Sequence, residues 1–157
     1  MTTTEQVQPT ASMPTSRKVL CVVYALIAVL ALVLNWSQTV AYTHSGVAAF
    51  LDHFWHDARV NASSRNMTAD VLMLGFSVAI FMVVEARKHG VRFVWLYIFG
   101  GFFVAISVTV PLFLIAREVR IGAAEAPRLR PFDMVLMALS GAGVVALTIW
   151  VDMGGMT

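Results

Sequence analysis

Three short stretches carry the side chains that could do chemistry, and each suggests a different kind. In GVAAFLDHFWHDARV, residues 46–60, His53 and His56 stand one helical turn apart with Asp52 and Asp57 beside them. Imidazoles and carboxylates at that spacing suit a divalent metal. The same stretch places Val47, Phe50, Leu51, Phe54 and Trp55 at i, i+3, i+4, i+7 and i+8, one face of an amphipathic helix. A helix of this kind lies along a membrane interface with its aromatics down and its histidines in water. His44 is the one further imidazole near enough in sequence to complete a metal set, so the interfacial reading takes precedence and no cofactor is expected.

The second stretch is built around Glu85, which ends an apolar run and precedes Arg87, Lys88 and His89. A carboxylate at a helix C-terminus opposes the helix dipole. Lys88 and His89, at i+3 and i+4, are the expected partners; a carboxylate held for proton or substrate chemistry is the alternative. The third is TVPLFLIARE, residues 109–118, where Pro111 interrupts apolar residues that stop at Arg117 and Glu118. Proline has no N–H, which frees the carbonyl of Ser107 four residues back. If the flanking runs form a hairpin about Gly90, Asp70 is level with Thr109–Pro111. Asp70, Ser107, Thr109, Pro111 and Arg117 then form a candidate polar cluster, with Asp70 and Arg117 paired on the side away from Gly90. The cluster reads either as a functional polar site or as a structural kink closed by an ion pair.

Apolar runs must position these groups. Of the 157 residues, 59% are hydrophobic and 13% charged, against about 45–50% and 25% in a water-soluble domain. Four runs, near residues 19–36, 69–87, 92–116 and 132–151, approach or exceed the length needed to cross about 30 Å of hydrocarbon. Lipid cannot satisfy exposed backbone groups, so the runs are expected to be helices. The fold class is therefore all-α: a small multi-span bundle of four spans with an interfacial helix in the first loop. Residues 1–18 read as a polar tail, 19–121 as the membrane domain, and 122–157 as a basic linker and fourth span. Arg17 and Lys18 before an apolar run also describe a signal peptide, but NWSQTVAYTHS offers no small-x-small cleavage site, and an uncleaved span is preferred.

Four spans put both termini on one side. The positive-inside rule then gives a tie: Arg17, Lys18, Arg87, Lys88 and Arg92 face Arg59, Arg65, Arg117, Arg120, Arg128 and Arg130, five against six. The 11 basic residues form no stripe, so nucleic acid is not an expected partner. Cys21 is the only cysteine and reads as a small hydrophobe. The sequons at Asn61 and Asn66 are taken as chance, with Asn66 or Thr68 capping a helix. Ala138, Ala142 and Ala146 form a small-residue row suited to helix packing.

Residues 61–121 resemble the DUF2834 family of bacterial membrane proteins. The likeness rests on Asn61-Ala62-Ser63, Asp70, Phe81-Met82, Glu85-Ala86-Arg87, Trp95-Leu96-Tyr97, Pro111-Leu112-Phe113-Leu114 and Arg117-Glu118. It extends back through the first run and leaves out the polar tail and the fourth run. The resemblance implies a multi-pass protein of a bacterial inner membrane and adds Asn61, Glu85, Trp95 and Glu118 to the candidate residues. It implies no activity. Three functions compete. The first is a non-enzymatic membrane subunit or a binder of lipid or isoprenoid-like ligands, with membrane lipids, protein partners or further copies of the chain as partners. The second is a lipid-modifying enzyme using Asp70 or Glu85 as acid or base. The third is a small proton-coupled transporter acting as a dimer.

Overall fold

The computed structural model describes residues 12–40, 46–122 and 130–154. These form six helices: α1 (Thr15–Thr39), α2 (Val47–Asp57), α3 (Ala62–His89), α4 (Val94–Phe103), α5 (Ile106–Ile121) and α6 (Pro131–Gly154). Most of the polar tail expected over residues 1–18 lies outside the described residues, as does His44; α1 already begins at Thr15. The helices fall into two units, divided between Glu125 and Ala126. The second unit holds α6, whose Asp133 carboxylate accepts the N–H of Arg130 at 3.3 Å and whose Ala138, Ala142 and Ala146 are exposed within that unit.

In the first unit, α3 starts at Asn61, whose side chain accepts the N–H of Ser64 at 2.8 Å. Asn61 therefore caps the helix, and the expected Asn66 and Thr68 lie inside it. Thr68 instead donates its hydroxyl to the carbonyl of Ala58. The helix ends at Gly90, in the left-handed region at φ 68°, which a glycine adopts without steric cost. The aromatic face of α2 is assembled by Phe50 stacked on Phe54 at 5.9 Å and Phe54 edge-on to Trp55.

Among the described residues, three helices are long and apolar enough to cross a membrane: α1, α3 and the Pro131–Val151 portion of α6. The expected fourth crossing, residues 92–116, is corrected. This stretch is broken at Val104 and Ala105 into α4, of 10 residues, and α5, of 16. Ten residues rise only about 15 Å, half of the hydrocarbon thickness. The two pieces fold back on each other as a hairpin. Tyr97 lies edge-on to Phe113 at 5.9 Å, and a Cβ at Gly101 would stand 3.1 Å from Thr109 Oγ1 and 3.5 Å from the Ile106 Cα. Gly101 thus provides the close approach that the returning helix needs. The tip of the hairpin sits beside Gly75, where an added Cβ would meet Ile106 Cδ1 at 3.1 Å. Gly75 is midway along the 28 residues of α3, so the chain turns back level with the middle of that helix.

The charged end of α5 therefore returns to the end of α3 from which α4 started. The core joins these elements there: Met82 and Ala86 of α3, Val91 and Val94 at the turn, and Phe113 of α5 are all buried. Helix α1 packs along α5, with Ala28 and Val108 buried; a small residue such as Ala28 lets helices approach closely. The tie in basic residues disappears with the correction. Arg17, Lys18, Arg87, Lys88, Arg92, Arg117 and Arg120 belong to one end of this unit, and only Arg59 and Arg65 to the other.

Candidate functional site

A buried charge network closes the end of the first unit where α1 begins and α3 and α5 finish. Each helix brings its groups there for a local reason. Arg17 stands in the first turn of α1, Glu85 in the last turns of α3 before its glycine cap, and Arg117 and Glu118 where the apolar run of α5 gives way to polar residues. Arg17 donates to Glu118 Oε2, an ion pair joining α1 to α5. Arg117 Nε donates to Glu85 Oε2, joining α5 to α3, and Arg117 also donates to Glu118 Oε1 at 2.7 Å. Arg17 and Glu118 are 4% and 3% exposed, so the pair is withdrawn from solvent within the protein itself.

The charges balance, two guanidinium groups against two carboxylates. That balance is what makes burial tolerable, because an unpaired buried charge is far more costly than a paired one. The expected partners of Glu85 are present but secondary. Lys88 Nζ is 3.9 Å from Oε1, with its side chain largely exposed, and His89 Nε2 is 3.2 Å from Oε2 without an aligned hydrogen bond. Arg117 supplies the closer contact, because α5 returns to this face.

The cluster expected around Asp70 is not assembled. Asp70 is exposed on α3, and fifteen residues separate it from Glu85, about 22 Å along a helix. Arg117, paired with Glu85, is therefore remote from Asp70. Ser107 instead accepts the Asn35 side-chain amide at 3.2 Å, and Asn35 also donates to Ala31 O at 2.7 Å. The hydroxyl of Thr109 bonds back to the carbonyl of Ala105 at 3.5 Å. Pro111 is buried in the second turn of α5, close behind the break. The residues of TVPLFLIARE thus divide between two places, the hairpin tip and the charged end. Trp95, at the start of α4, lies against Phe99 at 5.8 Å.

Arg17 is the member of the network absent from the candidate residues read from the sequence. A signal for it existed in the tied charge count, which resolves once the third run folds back. His53 and His56 are exposed on α2, and among the described residues no three His, Cys, Asp or Glu side chains converge as a metal site.

No curated protein and no solved structure matches the chain. A family profile described as "Protein of unknown function DUF2834" matches residues 23–119. That match runs from α1 to the charged end of α5, taking in Glu85, Arg117 and Glu118 and leaving out α6. This all-helical membrane protein belongs to the DUF2834 family.

Proposed function

We propose that the chain is a non-enzymatic membrane protein, one that binds lipid or serves as a subunit of a membrane assembly. The observation that carries this reading is the commitment of its buried carboxylates. Glu85 and Glu118 each accept from an arginine on another helix. A general acid or base must reach a substrate proton, whereas these groups are turned inward to hold α1, α3 and α5 together. Asp70, the other acid considered for lipid chemistry, is exposed and remote from them. The test is purification in mild detergent, with mass spectrometry of what travels with the protein. Lipid or a protein partner bound in stoichiometric amount is expected. A chain that carries neither, but turns over an added lipid, would contradict the reading.

The hairpin tip favours a second reading, a small transporter. Helix α5 begins level with the middle of α3, with Ser107 bonded to Asn35 of α1 and Thr109 nearby, and interrupted helices are how many transporters build their sites. On this reading, proteoliposomes show proton flux above that of empty vesicles, and Ser107→Val lowers it. Equal flux with and without the protein removes this alternative.

A further inference from the structure

The turn between α3 and α4 forms an open cleft of about 480 Å³, lined by Ala86, Arg87, Gly90, Arg92, Phe93 and Trp95 among others. That volume falls within the range of about 300–1,000 Å³ common for ligand sites. Its chemistry is not that of the buried network. Arg87 and Arg92 are exposed, and among the described residues neither makes an ion pair, whereas Arg17 and Arg117 are both held by carboxylates. Phe93 and Trp95 are exposed as well, at 78% and 52%, and form the apolar wall of the same cleft.

Two free guanidinium groups over two exposed aromatics describe a boundary, with an anion above and hydrocarbon below. The level agrees. The cleft lies at the end of α3, a helix long enough to cross a membrane, and at the start of the apolar α4. Tryptophan is favoured at the headgroup level. The end of the unit that holds the cleft also carries seven of its nine Lys and Arg residues. By the positive-inside rule this end faces the cytoplasm, whose leaflet is rich in anionic lipid.

The negative end of the α3 dipole lies beside the cleft, and the charges of Arg87, Lys88 and Arg92 offset it. The carbonyl of Ala86, at the end of α3, already accepts from the N–H groups of Gly90 and Val91. The amides of Val94 and Trp95, the first of α4, precede its first helical acceptor and belong to the wall of the cleft, whereas the N–H of Leu96 donates to the carbonyl of Phe93. Lys88, on the same last turn of α3, adds positive charge.

We propose that this cleft binds the phosphate of an anionic lipid headgroup, through Arg87 and Arg92, with Phe93 and Trp95 against the glycerol and upper acyl chain. The inference rests on the lipid-binding reading above and gives it a place.

The test is native mass spectrometry of the full chain in detergent with phosphatidylglycerol, phosphatidylcholine or inorganic phosphate added separately. Phosphatidylglycerol is expected to be retained well above phosphatidylcholine. Arg87→Gln with Arg92→Gln should weaken its binding about thirtyfold, the effect of two surface arginines on an anionic lipid. Arg87→Lys with Arg92→Lys, which keeps the charge, should preserve most of it. Equal retention of the two lipids overturns the proposal, as does inorganic phosphate that competes the lipid away at equal concentration. If the glutamine variant still carries phosphatidylglycerol as the parent does, lipid binding stands and this site falls. If neither protein carries any lipid, the site and the lipid-binding reading fall together.

Discussion

Glu118→Gln is expected to destabilise the protein by about 3–5 kcal/mol, the cost of breaking one partner from a buried ion pair. The substitution is nearly isosteric, so the loss is of charge and not of volume. It leaves Arg17 buried at 4% exposure with the carboxylate opposite it neutralised, and it replaces one of the two oxygens that accept from Arg17 and Arg117 with an NH2 donor. Arg17→Gln should be similarly harmful for the mirror reason. The double variant should cost clearly less than the two singles added together, because no unpaired charge then remains between α1 and α5. Coupling of about 0.5–3 kcal/mol is the usual range for residues in direct contact. The measurement is reversible unfolding in mixed micelles, as a full double-mutant cycle. Additive effects would mean that the two groups do not share their burial. Asp70→Asn combined with Arg117→Gln supplies the contrast: these should add, since Arg117 meets Glu85 and not Asp70.

A network of this kind is a poor source of net stability, because apolar residues of similar volume often do as well. Its value is in register. The end of α5 carries two adjacent charges, and the hairpin can bury them only by bringing them back to Arg17 and Glu85. A chain that ran straight through would leave Arg117 and Glu118 on the far side, with Glu85 and Arg17 unmatched. The network thus selects the returning path of α5 against the crossing one.

Much of the fold was legible from apolar run length and periodicity. Helices α1, α3 and α6 follow from uninterrupted stretches long enough to cross hydrocarbon, and α2 follows from its aromatic face. The break at Val104–Ala105 was not legible from hydropathy, because residues 93–116 carry no charge and read as one crossing. What breaks them is steric. Gly100 and Gly101 weaken the helix, Gly101 leaves room for Thr109 and Ile106, and Pro111 stands early in the next helix. Pro111 follows a turn instead of kinking a long helix. The site was misplaced for the same reason. Pairing by distance from Gly90 assumes that the second arm of the hairpin is as long as the first. With α4 only ten residues long, Arg117 comes back to Glu85. The sequence held the correct partners in its own motif, since Glu85, Arg117 and Glu118 all belonged to the stretch resembling the family.

The second large effect is topological. With α1 and α3 as crossing helices and α5 returning, residues 88 and 120 are expected on the same face. A third run that crosses the membrane gives the reverse. Lys88 and Arg120 are suitable reporters because both are exposed and neither belongs to the buried Arg17–Glu118 pair. In a Cys21→Ser background, single cysteines at Lys88, Arg120 and Arg59 are treated in sealed, oriented vesicles with a membrane-impermeant thiol reagent. A returning α5 predicts that the cysteines at 88 and 120 label together from one face and the cysteine at 59 from the other. Labelling of 88 and 120 from opposite faces would contradict the hairpin, and with it the charge network that depends on its return.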